Sequence, residues 1–382
     1  MDISKLPEDI RIEAEKRGKP LDRIRGCLLG GAAGDALGYP VEFLSFESIQ
    51  ANYGPHGISS YTTEPVSHLA LVSDDTQMSL FTANGLLYAQ TRSALSGISS
   101  QPRYYVYLAY LDWLETQRGI QHGDRISWLF AIDRLWNCRA PGATCLDALS
   151  SGEQGSTENR INHSKGCGGV MRVAPVGLCL RDLDDRTVAM EGAEIAALTH
   201  SHSLGFMPAA FLSFIIKRIV SQDETDLLDI VKEGRELIKV LFAERKHLGA
   251  FIDLIDRAIA LSGNTLPDEE NIPYIGAGWC GDEAIAIAVY CALRHKRDFS
   301  SAIVAAVNHS GDSDSTGALT GNIVGAIVGY EAIDEKWKKD LELRDTIIEI
   351  ADDLCYGCLM SKDNGYTDET WVRKYVRAGR ES

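Results

Sequence analysis

The fold is decided by the stretch Gly30-Gly31-Ala32-Ala33-Gly34-Asp35-Ala36-Leu37-Gly38. Its glycines at 30, 34 and 38 fall four residues apart, and a second series recurs at 317, 321, 325 and 329. Residues four apart lie on one face of an α-helix, where each glycine costs about 1 kcal/mol relative to alanine. Close packing of two helices is the usual compensation, because residues without side chains let two backbones approach. We therefore expect the two glycine helices to form the central pair, with Asp35 and Glu42 near the end of the first and the acids of 312–315 near the start of the second.

Apolar periodicity predicts helix through most of the remaining chain. From Leu21 onward, apolar residues recur at three- and four-residue spacing without a series of alternating β-branched segments, which predicts an all-α fold. The predicted helical segments are 24–38, 78–90, 104–117, 126–138, 186–199, 205–220, 226–243, 250–262, 280–294, 300–308, 316–330 and 344–360. No βαβ context surrounds the first glycine series, so a dinucleotide-binding fold is excluded. We see no solenoid repeat or domain boundary and expect an N-terminal extension over 1–20 followed by a single domain over 21–382.

Composition and charge bound the class of protein. The chain has 382 residues, of which 45% are hydrophobic and 24% charged, as is typical of a soluble globular protein. Its net charge of −16 argues against a nucleic-acid partner, since surfaces that bind nucleic acid are basic. The nine cysteines show neither zinc-binding nor disulfide spacing, which favours the cytoplasm. The first residues lack a signal-peptide pattern and no uncharged apolar run reaches about 18 residues, so we expect neither secretion nor a membrane span.

Two acidic clusters carry the strongest chemical signal. They read Ser73-Asp74-Asp75-Thr76 and Asp312-Ser313-Asp314-Ser315-Thr316. Each places two carboxylates beside hydroxyls among small or apolar residues, which is costly unless a positive charge lies between the acids. The ligands offered are all oxygens, which suit Mg²⁺, Mn²⁺ or Ca²⁺ better than zinc or copper. If the clusters meet in the fold, they could bind a pair of cations about 3.5–4 Å apart, an arrangement that activates water.

Helix capping is the alternative interpretation of each cluster. Both precede helix-like apolar stretches, where a Ser or Asp N-cap and acids in the first turn interact favourably with the helix dipole. Recurrence of the same chemistry at two distant helix starts favours the metal interpretation. The sequence leaves the capping interpretation open.

The region 139–170 differs from the predicted helical segments on either side of it. It contains Pro141, several glycines and many polar residues. A glycine-rich stretch of this length inside a helical domain is more often a binding loop than a linker. We therefore predict that this region contributes to a binding site.

The order of several short motifs resembles a known family. The motifs are Gly34-Asp35-Ala36-Leu37-Gly38 with Glu42, Ser73-Asp74-Asp75-Thr76, Arg139-Ala140-Pro141-Gly142, Ser164-Lys165-Gly166-Cys167-Gly168-Gly169-Val170-Met171-Arg172, Thr199-His200-Ser201-His202, Gly276-Ala277-Gly278-Trp279 and Gly311-Asp312-Ser313-Asp314-Ser315-Thr316-Gly317. In this order they resemble the ADP-ribosylglycohydrolase family, which includes the dinitrogenase-reductase-activating glycohydrolases and the ADP-ribosylarginine hydrolases. The resemblance covers roughly residues 22–360.

The resemblance implies an all-α orthogonal multi-helix bundle with a binuclear Mg²⁺ or Mn²⁺ centre in a cleft. The implied ligands are Ser73, Asp74 and Asp75 from one cluster and Asp312, Asp314 and Ser315 from the other. Glu42 matches a mobile acid of the family near the metals. Many relatives have threonine where this sequence has serine in both clusters, and a hydroxyl ligand is present in either case.

A substrate-binding loop is also implied. The segment 163–172 matches the family's loop around ADP-ribose, where glycines let backbone N–H groups approach phosphate oxygens. The implied substrate-binding residues are Ser164, Lys165, Gly166, Cys167, Gly168, Gly169, His200 and Trp279. From the residues alone, a structural role for His200 and a core position for Trp279 stay open. Cys167 has no adjacent base, so we interpret it as a lining residue and not as a nucleophile.

The implied reaction is hydrolysis of the N-glycosidic bond between ADP-ribose and a protein side chain, and the expected partner is an ADP-ribosylated protein. Asp75 or Glu42 would guide proton transfer, and nearby acids would stabilise the positive charge that develops on the ribose. Arginine is the expected acceptor, because the Ser-Lys-Gly-Cys-Gly and Asp-Ser-Asp-Ser-Thr variants are closer to the arginine-directed members than to the serine-directed ones.

Two other functions stay open at this point. Some relatives are immunity proteins that bind an ADP-ribosyltransferase toxin directly, and residues 1–20 would supply the binding segment here. A solvated helix that packs on its own domain is the simpler interpretation of that segment. A non-catalytic relative is the other alternative, but the presence of all six candidate metal ligands argues against it.

Overall fold

The computed structural model describes residues 3–99, 101–120, 125–222 and 226–377. Within these ranges the protein contains α-helices, short 3-10 turns and isolated β-bridges, and no β-strand. This confirms the predicted all-α fold class. The helices are α1 (Glu8–Arg17), α2 (Leu21–Gly38), α3 (Phe46–Tyr53), α4 (Asp74–Ser96), α5 (Pro102–Arg118), α6 (Ala143–Ser151), α7 (Ala174–Cys179), α8 (Asp185–Ala197), α9 (Ser203–Ser221), α10 (Leu227–Leu241), α11 (Leu248–Ser262), α12 (Asp268–Ile275), α13 (Gly281–His295), α14 (Phe299–Val307), α15 (Ser313–Val328), α16 (Arg344–Tyr356) and α17 (Glu369–Tyr375).

Helices α2 and α15 form the central pair, as their glycines predict. A Cβ atom at Gly34 would lie 2.0 Å from the carbonyl oxygen of Gly317, and one at Gly321 would lie 1.9 Å from that of Gly30. Both distances are far below van der Waals contact, so the two backbones touch where neither has a side chain. The partner numbers run in opposite directions, and the two helices are therefore antiparallel.

The glycine face differs from the prediction at one end. A Cβ atom at Gly26 would lie 2.3 Å from the carbonyl oxygen of Gly325, so Gly26 extends the contact by one more turn. Gly329 lies at the end of this contact but outside the helix, since a Cβ atom at Gly26 would lie 2.8 Å from its carbonyl carbon. It follows the last residue of α15 with a φ of +82°, and its neighbour is the carboxylate of Asp22. The fourth glycine of the second series therefore ends the helix, which is a common role for glycine.

Helix α9 is the centre of a second layer, where it contacts α7, α8, α10 and α13. Its side chains at Phe206, Phe211 and Phe214 are buried. By length and hydropathy alone α9 could cross a membrane, but 83% of its most apolar window is buried inside the protein. A helix that is buried to this extent is a core helix of the fold.

The segment 126–138 is not the α-helix that its apolar spacing predicts. It forms two short 3-10 turns, Trp128–Ala131 and Asp133–Trp136. The buried carboxylate of Asp112 accepts hydrogen bonds from the backbone N–H groups of Ile126 at 3.1 Å and Ser127 at 2.8 Å. These bonds fix the start of the segment against α5, and a tertiary contact here overrides the local pattern.

The N-terminal segment packs on the domain. Ala14 of α1 is fully buried, and Arg17 donates hydrogen bonds to the carbonyl oxygens of Tyr356 at 3.0 Å and Cys358 at 3.2 Å. These contacts place α1 against the end of α16, beside the start of α2. Since α2 has 18 residues, about 27 Å of helix separates this segment from the other end of α2.

Candidate metal and substrate site

The antiparallel glycine contact sets the position of the second acidic cluster. At the C-terminal end of α2, a Cβ atom at Gly38 would lie 2.3 Å from the carbonyl oxygen of Ser313, the first residue of α15. A 3-10 turn, Tyr39–Val41, then leads to Glu42. Carboxylate oxygens of Glu42, Asp312 and Asp314 consequently lie within 4.8 Å of one another. This is the arrangement predicted from the two glycine series.

Each acidic cluster also caps a helix. The side chain of Ser73 accepts a hydrogen bond from the backbone N–H of Asp75 at 3.2 Å at the start of α4. The side chain of Asp312 accepts one from the backbone N–H of Ser315 at 3.3 Å at the start of α15. Capping and clustering are therefore compatible, because two helix N-termini converge and the acids of their first turns share one region.

Asp35 connects α2 to α4. Its buried carboxylate accepts hydrogen bonds from the backbone N–H groups of Ser73 at 3.0 Å and Thr76 at 3.2 Å, and also from the Thr76 hydroxyl. A carboxylate on α2 thus fixes the N-terminus of α4. The sequence places Asp35 only near the site, although an acid beside a buried glycine face is a signal for such a role.

The loop after residue 138 reaches the first cluster through Asp74. The backbone N–H of Gly142 donates to Oδ2 of Asp74 at 3.1 Å. The backbone N–H of Asp74 donates to the carbonyl oxygen of Arg139 at 3.0 Å. Arg139 in turn forms an ion pair with the buried Glu342 at 2.9 Å. Glu342 also accepts a hydrogen bond from the backbone N–H of Val72 at 3.2 Å. No sequence pattern indicated a role for Glu342 at the site.

The second cluster is fixed by the loop before α13. The backbone N–H of Asp312 donates to the carbonyl oxygen of Ala277 at 2.8 Å. A Cβ atom at Gly311 would lie 1.9 Å from the same oxygen, so only glycine permits this approach. The motif 276–279 therefore contacts the acids directly, even though it is more than thirty positions away in the sequence.

The electrostatics of the site favour a bound cation. Burial, followed by repulsion from neighbouring acids, raises the pKa of Asp75 well above its ordinary value. Burial and then Asp314 raise the pKa of Glu42 to about 9 and that of Asp35 to about 7. Such carboxylates are costly in the ionised form unless a cation lies among them.

The donor set also fits a hard divalent cation. Oδ2 of Asp75 is buried and has no hydrogen-bond partner among the described residues. A buried carboxylate oxygen without a partner is expensive, and a metal ion would supply one. The surrounding groups are carboxylates and hydroxyls, the ligands that Mg²⁺ and Mn²⁺ prefer.

The acids line part of a cavity of about 320 Å³. Of the residues predicted to bind substrate, the lining includes Gly166, Cys167, Gly168, His200 and Trp279. Of those predicted to bind metal, it includes Asp74, Asp75, Asp312, Asp314 and Ser315, together with Glu42. Ser73, Ser164, Lys165 and Gly169 are not among the lining residues. The cavity therefore joins the acids to the glycine-rich loop.

The glycine-rich loop is held by two neighbours. The backbone N–H of Cys167 donates to the carbonyl oxygen of Trp279 at 3.1 Å, and that of Gly281 donates to the carbonyl oxygen of Lys165 at 2.9 Å. On its other side, a Cβ atom at Gly168 would lie 2.8 Å from Cε1 of His200. The histidine ring therefore packs under the loop and requires glycine there.

The thiol of Cys167 lies at the acids. Its Sγ is 2.8 Å from Oδ2 of Asp312, to which it donates a hydrogen bond. Burial, and then the charge of Asp312, raise the pKa of this thiol well above its ordinary value. A thiol that stays protonated is a poor nucleophile, which agrees with its interpretation as a lining residue.

An aromatic pair stands at the edge of the cavity. The rings of Phe43 and Trp279 stack at 5.2 Å between centroids and 20° between planes. Phe43 is 71% exposed and Trp279 is 39% exposed. Trp279 therefore belongs to the cavity wall and not to the core. Phe43 has a φ of +65°, an unusual conformation for a bulky residue, and no sequence pattern indicated its place at the site.

Comparison with known proteins identifies the family of the chain. A family model described as ADP-ribosylglycohydrolase matches residues 16–364. The chain is 24% identical to the ADP-ribosylarginine hydrolase Tri1 of Serratia proteamaculans, over 88% of this chain and 80% of that protein. It is also 24% identical to the ADP-ribosylhydrolase ARH3 of Homo sapiens, over 85% of this chain and 90% of that protein.

A solved structure shares the fold. It is described as an ADP-ribosylglycohydrolase-related protein complex and superimposes with a TM-score of 0.60 at 23% identity, covering 88% of this chain and 98% of that one. The family model and the named relatives show that the protein is an enzyme of the glycosyl hydrolase class. Since the family model spans most of the sequence, the chain belongs to the ADP-ribosylglycohydrolase family.

Proposed function

We propose that this protein removes single ADP-ribose groups from modified arginine side chains of proteins, with two Mg²⁺ or Mn²⁺ ions bound at the two acidic clusters. The observation that carries the proposal is the convergence of the two helix N-termini on one cavity. Carboxylates of both clusters and the glycine-rich loop line that cavity together. Neither cluster alone would provide a site that spans the distal ribose and the phosphates.

The candidate ligands are Ser73, Asp74, Asp75, Asp312, Asp314 and Ser315. Divalent cations bound there would lower the pKa of a water and bind ribose hydroxyls. Asp75 or Glu42 accepts the proton of the attacking water, because both line the cavity beside the acids. The remaining carboxylates stabilise the positive charge that develops on the ribose as the bond to the acceptor breaks.

The preference for arginine has support at the cavity edge. A guanidinium is a planar cation that stacks favourably on aromatic rings and pairs with carboxylates. The stacked rings of Phe43 and Trp279 and the carboxylate of Glu42 offer both partners next to the acids. The relative Tri1 is named as an arginine hydrolase. A serine hydroxyl, by contrast, gains little from an aromatic platform.

The test is a release assay on two substrates. The protein is incubated with arginine- and serine-ADP-ribosylated proteins in Mg²⁺, Mn²⁺ or EDTA, and free ADP-ribose is measured. We expect release from arginine with either metal and none in EDTA. Release from neither substrate with metal present would refute the hydrolase proposal, whereas faster release from serine would refute only the acceptor.

Direct binding of a toxin through residues 1–20 is the alternative function. The contacts of Ala14 and Arg17 with the rest of the domain support the simpler interpretation of this segment as a structural element. Its outer face is accessible to a partner, since Ile12 is 59% exposed. A test of toxin binding must therefore separate the packing role of the segment from its exposed face.

A further inference from the structure

Arg172 is a fully buried arginine without an acidic partner. Its side chain is 0% exposed, and within the described part of the chain it forms no ion pair. The guanidinium lies 4.3 Å from the centre of the Tyr110 ring, and Nη1 lies 3.3 Å from Sδ of Met78 and 3.4 Å from Sγ of Cys145. Its Nε has no hydrogen-bond partner there. These are weak partners for a buried cation, which is costly to keep.

The strongest contact of Arg172 begins a short hydrogen-bonded chain. Nη2 donates to Oγ1 of Thr199 at 2.6 Å. The same hydroxyl lies 2.9 Å from Nδ1 of His200. Arginine can only donate, so the Thr199 oxygen accepts from it and its own proton is left to donate to Nδ1. Accepting at Nδ1 leaves the proton of a neutral imidazole on Nε2.

His200 is neutral in this environment. Burial, and then the charge of Arg172, lower the pKa of the imidazole to about 3. One ring nitrogen therefore carries a proton and the other does not, throughout the physiological pH range. Which nitrogen carries it is set by the bond at Nδ1.

The other ring nitrogen faces the glycine-rich loop. Cβ atoms at Gly166 and Gly168 would lie 3.4 Å and 3.2 Å from Nε2 of His200. The ring lines the cavity, and its hydrogen bond to Thr199 is made at Nδ1 and not at Nε2. A protonated Nε2 therefore presents a donor to a ligand under the same loop whose glycines expose backbone N–H groups.

We propose that Arg172 and Thr199 are positioning residues that fix His200 in the Nε2–H tautomer, so that the imidazole donates a hydrogen bond to a diphosphate oxygen of bound ADP-ribose. The ligand in this inference rests on the proposed function, whereas the tautomer does not. A neutral donor suits this position, because an imidazolium would be repelled by the buried guanidinium of Arg172.

The opposite tautomer defines the competing arrangement. A hydroxyl oxygen has two lone pairs, so Thr199 could accept from both Arg172 and a protonated Nδ1 of His200. Its own proton would then be left with the sulfur of Cys145, which is a weak acceptor. In the alternative, Nδ1–H donates to an oxygen that already accepts from the cationic Arg172. In the proposed arrangement, donation from Arg172 polarises the Thr199 hydroxyl and strengthens its O–H···N bond to His200.

The tautomer can be measured directly on the full-length protein without substrate. Protein labelled with ¹⁵N in its histidines gives two-bond ¹H–¹⁵N spectra that distinguish Nε2–H from Nδ1–H, and the signals of His200 are those lost in His200→Gln. We expect Nε2–H in the wild type, a mixture in Thr199→Val and the wild-type pattern in Thr199→Ser, which keeps the hydroxyl. A wild-type Nδ1–H signal, or an unchanged pattern in Thr199→Val, would overturn the proposal.

Calorimetry with ADP-ribose tests the consequence for binding. Thr199→Val is expected to weaken ADP-ribose binding about tenfold, because a hydrogen bond to a charged oxygen is lost, and Thr199→Ser is expected to restore it. In kinetics the loss should fall mainly on KM. If the wild type binds no ADP-ribose, the proposed function fails and the spectra still decide the tautomer. If binding is equal in all three proteins while the tautomer changes, the donor role of His200 is wrong.

Discussion

At the scale of single residues, the acids of the cavity depend on side chains that lie outside it. Glu342 is 1% exposed, forms an ion pair with Arg139 at 2.9 Å and accepts a hydrogen bond from the backbone N–H of Val72. Val72 directly precedes Ser73 of the first acidic cluster, and the carbonyl oxygen of Arg139 accepts a hydrogen bond from Asp74. The position of Asp74 and Asp75 is therefore determined partly by a residue near the other end of the chain.

Replacing Glu342 with glutamine tests this dependence. Glu342→Gln keeps an acceptor for Val72 but leaves the Arg139 guanidinium, 15% exposed, without its charge partner. We expect the free energy of unfolding to fall by about 3 kcal/mol, since one partner of a buried pair is removed. Hydrolysis should fall as well, because the loop at Gly142 loses its support. Denaturant unfolding and the release assay measure the two effects, and an unchanged stability would show that the ion pair is dispensable.

The sequence reveals some of these residues and hides others for a physical reason. The acids of the two clusters are adjacent in sequence and repeat one chemistry, so they can be predicted without coordinates. Asp35, Glu342 and Phe43 acquire their roles through partners elsewhere in the fold. The Glu342 bond to Val72, for example, spans 270 positions. No local pattern encodes such a pairing.

At the scale of helices, the glycine contact between α2 and α15 determines where the acids lie. The four-residue spacing is sufficient to predict the pair, because a helical face without side chains is stable only where another backbone packs against it. The same reasoning fails for 126–138, where apolar spacing is satisfied by two 3-10 turns. In that segment the buried carboxylate of Asp112 accepts hydrogen bonds from the first two backbone N–H groups. Apolar spacing carries no information about such an acceptor.

A single methyl group in the glycine face should be strongly destabilising. Gly34→Ala would place a Cβ atom 2.0 Å from a backbone oxygen of α15, so the helices must separate. Overpacking of this kind costs about 1–3 kcal/mol and more where backbone must move. The matched control is Gly249→Ala in α11, where a Cβ atom would meet nothing within 4 Å. That change should leave stability equal or higher by about 0.5–1 kcal/mol.

Two measurements distinguish this pair of variants. Thermal unfolding gives the loss of stability, and the release assay shows whether the separated helices also displace the acids of α15. If Gly34→Ala is as stable and as active as Gly249→Ala, close contact between the two backbones is not what positions the site.

Helix α1 allows the structural and toxin-binding roles of residues 1–20 to be separated. Removal of these residues exposes the surface that Ala14 covers and deletes both hydrogen bonds of Arg17, so stability should fall by about 3 kcal/mol. Hydrolysis by the folded fraction should persist, because about 27 Å of helix lies between this segment and the acids. The companion variant Ile12→Ser changes only the exposed face.

The two variants give opposite results under the two interpretations. If the segment only supports the domain, the truncation melts earlier and Ile12→Ser melts like the wild type. If it binds an ADP-ribosyltransferase, Ile12→Ser should weaken that complex at unchanged stability. Equal binding of a candidate toxin by the wild type and both variants would exclude the toxin role of the segment.

At the scale of the whole molecule, stability and activity place opposite demands on the acidic clusters. The chain carries a net charge of −16, and it brings the buried carboxylates of two clusters together with the half-buried Glu42 in one region. Burial raises the pKa of Asp314, and burial followed by the charge of Asp314 raises the pKa of Asp35, Asp75 and Glu42. Without a cation these groups oppose folding, whereas with one they become ligands whose binding energy adds to stability.

This conflict predicts that the order of stability reverses with metal. In EDTA, Asp314→Asn should melt higher than the wild type, because it removes a buried charge that repels its neighbours. In saturating Mg²⁺ or Mn²⁺ the wild type should melt higher, since binding to the folded state alone contributes about 2.7 kcal/mol at a hundred times Kd.

The control Asp229→Asn removes a first-turn acid of α10 that is 68% exposed, and it should follow the wild type in both conditions. Thermal unfolding of the three proteins with each metal and with EDTA measures the order. Parallel shifts in all three would mean that the cation binds nonspecifically to the acidic surface, and no shift in the wild type would remove the metal site from the proposed function.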